Sequence, residues 1–369
     1  MLTRYTTTDD GSHHKIADIY TTEEHGITPD KLDGDALKVA RRLEQHGYEA
    51  YVVGGAVRDL LLGKRPKDFD IATDALPKEV RKLFRNSRII GRRFRLVHVQ
   101  FGSKIIEVST FRSDSPGGKN NVYGALEEDV RRRDFSLNAL YYSPKSGYIL
   151  DFVGAFGDIK ACRMRSLLSH DVTFKEDPVR LLRAVKYSVI TGFSIPRKLK
   201  MAIKKDAEEL KKSSPSRLTE ELFKILHSGY CAEILRALQE HTLLEYLLPQ
   251  IDLALKEKGS QNFQKHFFKN LEALDAFVRE YPDPPRDKSL SFLFLAFLPE
   301  IPGDSGTVEL PESLFSQAKI LLAPLTPPNR EIWRAVDILL AELGFSKKVQ
   351  QTRKKRRPPR KPEGPPMNT

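Results

Sequence analysis

The chain has 369 residues, of which 40% are hydrophobic, so it is long enough for two or three domains with ordinary apolar cores. Its two cysteines, Cys162 and Cys231, are too few and too far apart for a disulfide framework or a structural zinc site, and they favour a reducing cytoplasm. The net charge of +12 favours a polyanionic partner such as a nucleic acid.

The first 30 residues are polar and irregular, and they predict a flexible lead. They lack the apolar stretch of a secretory signal, and His13-His14 has no further ligands nearby to form a metal site. The longest apolar run, at 292–298, is far too short to span a membrane, so no membrane partner is expected. The first amphipathic helix is predicted from Asp35 to Gly47.

A Gly-Gly turn follows the first predicted strand of the head, at residues 50–53. Gly54 and Gly55 can bring bare backbone N–H groups against a phosphate. Arg58 adds a fixed positive charge beside them. This stretch therefore predicts a binding site for the phosphates of a nucleotide.

The triad Asp68-Phe69-Asp70 begins 13 residues after Gly55 and opens the next predicted strand, at 69–72. Residues two apart on a strand point the same way, so Asp68 and Asp70 are expected to share a polar face. Two aligned carboxylates can hold a divalent metal. The triad alone is also typical of solvated strand edges, and it is the Gly-Gly turn upstream that favours nucleotidyl transfer.

These motifs resemble those of the class II tRNA nucleotidyltransferase and bacterial poly(A) polymerase family, from about Leu37 to about Leu248. The resemblance implies an α+β fold, in which a polymerase-β-like nucleotidyltransferase head with a mixed sheet precedes an all-helical C-terminal region. It also implies Mg²⁺ as cofactor, held by Asp68 and Asp70, and ATP as substrate.

Periodicity and composition divide the chain further. We expect a flexible lead at 1–30, a catalytic head at 31–160, a helical nucleotide-selecting and RNA-binding region at 161–248, a helical C-terminal region at 249–346 and a disordered basic tail at 347–369. The other predicted strands of the head are 96–101, 104–110 and 148–152, and long helices are predicted at 178–190, 216–226, 232–248 and 265–280.

Two acids compete for the place of a third catalytic carboxylate. Glu107 lies in a predicted strand, at a position whose direction the spacing does not decide. Asp134 lies in the motif Arg-Arg-Asp-Phe-x-x-Asn-Ala, which lines the active site in the family, and the resemblance favours Asp134. In the alternative interpretation, Asp134 is an acid near a helix N-terminus, where the helix dipole favours a negative charge. Arg133 is expected to reach the nucleotide, because guanidinium groups bind phosphate oxygens two at a time. Arg131 is expected to be a surface residue.

A second specific motif begins at Glu176 and reads Glu-Asp-Pro-Val-Arg-Leu-Leu-Arg. Asp177 is a natural N-cap for a helix that starts at Pro178, and Arg180 and Arg183 share one helix face. The family uses this motif as a protein template. By resemblance, Asp177 and Arg180 hydrogen-bond the incoming base and Arg183 supports the nucleotide.

The segment Ile89-Ile90-Gly91-Arg92-Arg93-Phe94 resembles the signature of the bacterial poly(A) polymerase branch rather than the CCA-adding branch. Arg92 and Arg93 are therefore expected to follow an RNA backbone, although a turn with solvated charges is the alternative. The tail from Lys347 holds nine Lys or Arg and one Glu, and its net charge of +8 leaves +4 for the rest of the chain. Its residues Lys354, Lys355, Arg356 and Arg357 are predicted RNA contacts.

These observations predict an enzyme that adds AMP from ATP to RNA 3′ ends without a template, with RNA-decay machinery as a further partner. A CCA-adding tRNA nucleotidyltransferase shares most of the motifs and is the alternative. An inert RNA-binding protein is the alternative of another class, and the clustered acids argue against it. The sequence does not predict the oligomeric state.

Overall fold

The structure is a computed structural model that describes residues 2–7, 13–91, 95–113, 122–257, 259–297 and 310–342. It divides into two compact units, Met1–Asp206 and Ala207–Thr369. This division falls after residue 206, whereas the sequence predicts boundaries after residues 160 and 248. Helices between 161 and 206 belong to the first unit because Arg183 pairs with Asp134 and Arg180 donates to the carbonyl of Arg132.

The first unit is built on a mixed sheet. Its strands are β1 Leu2–Thr7, β2 His13–Tyr20, β3 Ala50–Val53, β4 Asp70–Thr73, β5 Ser87–Ile90, β6 Leu96–Phe101, β7 Lys104–Thr110, β8 Tyr141–Ser143 and β9 Tyr148–Asp151. Their spatial order is β1-β2-β9-β8-β3-β4-β7-β6-β5. Strands β4 and β7 run parallel, and the other neighbouring pairs in the described residues are antiparallel. The expected α+β class with a mixed sheet is confirmed.

The flexible lead expected at residues 1–30 is wrong for the part that the structure describes. Strands β1 and β2 pair with each other, and Asp18–Tyr20 of β2 pairs with residues 149–151 of β9. Polar residues suit these positions because a strand near the edge of an antiparallel sheet keeps one face in water. Ala17 is buried on the other face.

The predicted bounds of β3, β6 and β7 agree with the structure, whereas β4 starts one residue later than predicted and β9 ends one residue earlier. Asp68 and Phe69 therefore precede β4 instead of lying in it. Two short strands, β5 and β8, escaped prediction because runs of three or four residues carry little periodic signal.

Nine α-helices lie in the described part of the first unit. They are α1 Thr22–His25, α2 Gly34–Gln45, α3 Gly55–Leu61, α4 Pro77–Leu83, α5 Leu126–Arg131, α6 Ala155–Lys160, α7 His170–Glu176, α8 Val179–Thr191 and α9 Arg197–Lys205. Helix α2 buries Val39 and Leu43, and Lys104 of β7 pairs with Asp33 at its N-terminus. Helix α2 therefore covers the face of the sheet to which Lys104 belongs.

The second unit is helical throughout its described residues. Its helices are α10 Pro215–Leu226, α11 Cys231–Glu240, α12 Leu244–Leu247, α13 Pro249–Lys256, α14 Gln261–Glu280, α15 Arg286–Phe294, α16 Leu310–Leu322 and α17 Asn329–Glu342. The single helix predicted at 232–248 is interrupted after Glu240, where Thr242 has a positive φ of 58°. None of the helices in the described ranges combines the length and hydropathy needed to cross a bilayer.

Candidate active site

The Gly-Gly turn and the carboxylates meet at one point of the sheet. Val53, the last residue of β3, lies directly opposite Asp70, the first residue of β4. Gly54 follows with φ 70° and ψ −131°, a conformation that L-residues with a side chain rarely adopt, and α3 begins at Gly55. The turn therefore stands beside the Asp70 carboxylate.

Asp68 and Asp70 have the exposure that a metal site needs. Phe69 between them is buried, whereas Asp68 is exposed and Asp70 is half-buried. Among the described residues, no three His, Cys, Asp or Glu side chains are grouped closely enough to cage a metal by themselves. Two carboxylates nevertheless fit Mg²⁺, which is bound by one or two carboxylates together with waters and substrate phosphates.

Glu107 shares the sheet face of Asp70. The two residues are direct partners across the parallel pair of β4 and β7, so their side chains point the same way. Glu107 Oε1 lies 3.0 Å from Nε2 of His98, its partner on β6. The direction that spacing alone left open is therefore known: Glu107 points to the side of Asp70, away from α2.

Asp134 is buried, and its carboxylate contacts other groups of the protein. Its carboxylate accepts hydrogen bonds from the backbone N–H of Phe135 at 2.8 Å and from Asn138 Nδ2 at 3.1 Å. Arg183 Nη2 lies 2.8 Å from Oδ2 as an ion pair that lacks hydrogen-bond alignment.

The net effect of this environment is to lower the pKa of the Asp134 carboxyl. Burial by itself raises this pKa, but the Arg183 charge and the two hydrogen bonds outweigh burial. The structure therefore pairs Asp134 with Arg183, and this ion pair holds the arginine in place.

Arg58 and Arg133 flank the Gly-Gly turn. A Cβ built on Gly54 would lie 3.6 Å from Arg133 Nη1, and one on Gly55 would lie 3.4 Å from Arg58 Nη2. Arg58 Nη1 donates to Asn138 Oδ1 at 2.9 Å, and Arg133 Nη1 donates to the Asn138 carbonyl at 3.2 Å. Both guanidinium groups are thus held beside the turn by the same residue.

The helix motif has the cap that its sequence predicts. Asp177 Oδ1 accepts from the N–H of Val179 at 3.2 Å, and Pro178 already has helical φ and ψ values. Arg180 reaches out of α8, where Nη2 donates to the Arg132 carbonyl at 3.0 Å and Nη1 pairs with Glu176 at 3.5 Å. The motif therefore fixes the start of α8 against the Arg-Arg-Asp stretch.

Two residues of the site were not assigned a role from the sequence. Asn138 joins Arg58, Arg133 and Asp134, and its place in the Arg-Arg-Asp-Phe-x-x-Asn-Ala motif was the available signal. Tyr187 accepts from Arg183 at 3.0 Å, and its ring lies 5.3 Å from the Arg58 guanidinium. Its spacing of four residues from Arg183 on one helix was the signal there.

Some of the remaining sequence predictions concern residues that the structure describes, and others concern residues that it does not. Arg131 is exposed, as expected of a surface residue, whereas Arg133 points inward. Six predicted RNA contacts lie outside the described residues: Arg92, Arg93, Lys354, Lys355, Arg356 and Arg357.

Comparison with known families agrees with this arrangement. Residues 50–165 match the family described as the poly A polymerase head domain. Residues 192–255 match the family described as the probable RNA and SrmB-binding site of polymerase A. The first match includes the Gly-Gly turn, both carboxylates and the Arg-Arg-Asp motif.

Individual relatives fall into two groups. The chain is 42% identical over 259 residues to poly(A) polymerase I of Escherichia coli O6:H1, a match that covers 66% of this chain and 56% of the relative. It is 40% identical over 230 residues to the CCA-adding enzyme of Geobacillus thermodenitrificans, covering 61% and 56% of the two chains. The match therefore spans little more than half the length of these relatives.

A solved structure is also similar. It is the Bacillus stearothermophilus CCA-adding enzyme in complex with CTP, which is 29% identical and superposes with a TM-score of 0.56. The superposition covers 86% of this chain and 84% of that one.

Proposed function

We propose that this chain, which belongs to the family of tRNA nucleotidyltransferases and bacterial poly(A) polymerases, adds AMP from ATP to the 3′ ends of RNA without a template and releases pyrophosphate. The observation that carries the proposal is the meeting of Asp70, the Gly54 turn, Arg58 and Arg133 at one place on the sheet. A reaction on RNA and ATP also fits a cytoplasmic protein.

The carboxylates of Asp68 and Asp70 would hold Mg²⁺. When bound there, the metal supplies charge neutralisation for the triphosphate and lowers the pKa of the attacking hydroxyl. Burial of Phe69 anchors the segment, so both carboxylates are held at the start of β4. Glu107, in register with Asp70, adds a third negative charge on the same face.

The triphosphate would lie against the Gly54 turn. The absence of side chains at Gly54 and Gly55 lets an anion approach the backbone, and Arg58 and Arg133 lie beside the turn. Asn138 holds both arginines in place, so little reorganisation is needed when the charge on the phosphates changes.

The base would be selected by the start of α8. Asp177 and Arg180 present an acceptor and a donor for a base edge, and Arg183 supports the nucleotide from the next turn of the helix. In this scheme Asp134 acts through Arg183, which it fixes by the ion pair at 2.8 Å. Asp134 is then a positioning residue, and the metal is left to the acids on the sheet.

The test gives the protein a generic RNA oligomer with Mg²⁺ and one nucleotide at a time. We expect ATP alone to produce a long, heterogeneous A tail and CTP alone to add little. Asp70→Asn should slow addition by on the order of a hundredfold or more, because the site loses a charge that stabilises the transferring phosphoryl group. Asp30→Asn, which changes an exposed acid outside the site, is the matched control.

Two other outcomes would contradict the proposal in different ways. The match to a CCA-adding enzyme at nearly the same identity supports a second function, repair of tRNA ends. If the protein ignores the oligomer but restores the CCA end of a trimmed tRNA from CTP and ATP and then stops, that second function is correct. Binding of RNA without any nucleotide addition would indicate an inert RNA-binding protein.

A further inference from the structure

One row of side chains crosses the sheet on the face that carries Asp70. In register order the row runs from Asp70 on β4 to Glu107 on β7, His98 on β6 and Arg88 on β5. Direct partners on neighbouring strands point to the same face, so these four polar side chains lie side by side. The row ends at β5, the outermost strand on this side of the sheet.

The two sides of Asp70 differ in how this face is covered. Towards β8, the partners Val53 and Tyr141 are buried in a cluster that includes Leu126 and Val130 of α5. Towards β5, the Glu107 side chain is 47% exposed and Arg88 is exposed. Helix α2 cannot cover this half, because it packs on the Lys104 side of the sheet. Within the part of the chain that the structure describes, the half of the face between Asp70 and β5 is therefore open.

A basic groove lies at the outer end of this open half. It has a volume of about 330 Å³, and we define the β5 groove by five of its polar lining residues, Arg85, Asn86, Arg88, His98 and Gln100. Among the described residues neither Arg85 nor Arg88 has a carboxylate partner, and both are exposed. Two unpaired cations beside two amides and an imidazole match a phosphate and sugar backbone better than a protein surface.

We propose that the β5 groove binds the backbone of the RNA primer just upstream of its 3′ end. The proposal rests on the proposed function, since it extends the path of the substrate away from the metal site. Three strand spacings of ~4.8 Å separate Asp70 from Arg88, or roughly 14 Å. That is the length of about four stacked nucleotides, so Arg85 and Arg88 would contact phosphates within the last few residues of the primer.

The charge order along the row supports this direction of the strand. Arg88 at the outer end attracts phosphates, whereas Glu107 and Asp70 at the inner end repel them and favour a metal ion and a hydroxyl. His98 lies between the two ends and holds the Glu107 carboxylate at 3.0 Å. The row therefore has an outer end that binds the phosphates of the primer and an inner end at which the 3′ hydroxyl reacts.

The experiment compares Arg85→Ala/Arg88→Ala with the control Arg41→Ala/Lys78→Ala, which removes two exposed cations from helices α2 and α4. Binding of a short single-stranded RNA with a blocked 3′ end is measured without ATP over a range of salt. For single strands each phosphate contact contributes about 0.7 to the slope of log affinity against log salt, so the first variant should lose about 1.4 of slope. The control should keep its slope, and both variants should keep the KM for ATP at saturating primer.

Unchanged affinity and slope in Arg85→Ala/Arg88→Ala would overturn the proposal. Nucleotide addition by the unaltered protein is scored separately, so failure of the proposed function is distinguishable. A primer with 4-thiouridine a few nucleotides from its 3′ end gives a second readout. We expect its photo-crosslinks within residues 85–113, whereas crosslinks confined to the second unit would contradict the groove.

Discussion

Asp134 illustrates how residue type and residue role can differ. Its motif identified it as part of the site, but a sequence does not report burial or partners. The structure gives it two hydrogen bonds and an ion pair with Arg183, and these contacts support the proposed role of a positioning acid. Glu107, whose direction was open in the sequence, is placed on the face of Asp70 by strand register.

The Asp134 carboxylate should contribute to stability in a manner that depends on pH. Its folded-state pKa lies below the unfolded value of about 3.9, so its contribution is complete above that value and is lost as the pH falls through the folded pKa. Asp134→Asn should lower the free energy of unfolding at neutral pH by about 2–3 kcal/mol, because Arg183 loses its partner but remains partly hydrated.

Denaturant unfolding of the wild-type protein and of Asp134→Asn at neutral and acidic pH measures this effect. The difference between wild type and Asp134→Asn should shrink as the pH falls below about 4. The control Asp171→Asn changes an exposed pair with Lys205 and should have little effect at any pH. A difference that stays constant with pH would show that charge at Asp134 does not stabilise the fold.

At the scale of elements, the turn from β3 into α3 is the feature most dependent on one residue. Gly54 has a positive φ with an extended ψ, whereas Gly55 is the first residue of α3. The two glycines look equivalent in the sequence. Their backbone conformations make different demands, and only the first requires glycine.

Gly54→Ala and Gly55→Ala therefore form a matched pair. Alanine at position 54 should cost about 1–3 kcal/mol of unfolding free energy through backbone strain. It should also slow nucleotide addition, because relief of that strain would shift the backbone N–H groups of the turn. Alanine at position 55 meets Arg58 at an ordinary contact distance and improves helix propensity, so stability should change little or rise. Thermal unfolding and the ATP addition assay check both, and equal effects would contradict the assigned role of Gly54.

Elements with internal periodicity were predictable, and elements formed by pairing alone were not. Residues 96–101 and 104–110 alternate apolar and polar side chains, and their bounds were predicted correctly. The polar strand His13–Tyr20 has no such signal, since it forms by pairing with β1 and β9. In the site, the motifs contain residues that the structure brings together, such as Arg133 beside Gly54 and Arg183 beside Asp134. Their partners depend on contacts distant in the chain, such as Arg58 with Asn138.

At the scale of the whole molecule, charge is distributed unevenly along the chain. The segment from Lys347 carries a net +8 of the total +12 and lies outside the described residues. The β5 groove offers a few local contacts to RNA, whereas the tail offers many cations in one run. We expect the two to contribute separately to affinity.

Deleting residues 347–369 tests the contribution of the tail. Nine cations could contribute up to roughly −6 to the salt slope for single-stranded RNA, and about half of that if they engage only in part. We expect the deletion to weaken RNA binding most at low salt and to leave the use of ATP on saturating primer nearly unchanged. Fluorescence anisotropy across a salt series measures the slope, and an unaltered slope would assign the tail another role.

Strand β7 interleaves two kinds of side chain, and this limits how its length can vary. Ile106 and Val108 are buried in the core, while Glu107 between them faces the side of Asp70. A substitution changes one of these contacts. An insertion or deletion of a single residue inside Lys104–Thr110 would instead turn every later side chain to the opposite face. Strand β7 therefore tolerates substitutions far better than insertions or deletions, because residues that face the side of Asp70 alternate along it with residues that pack in the core.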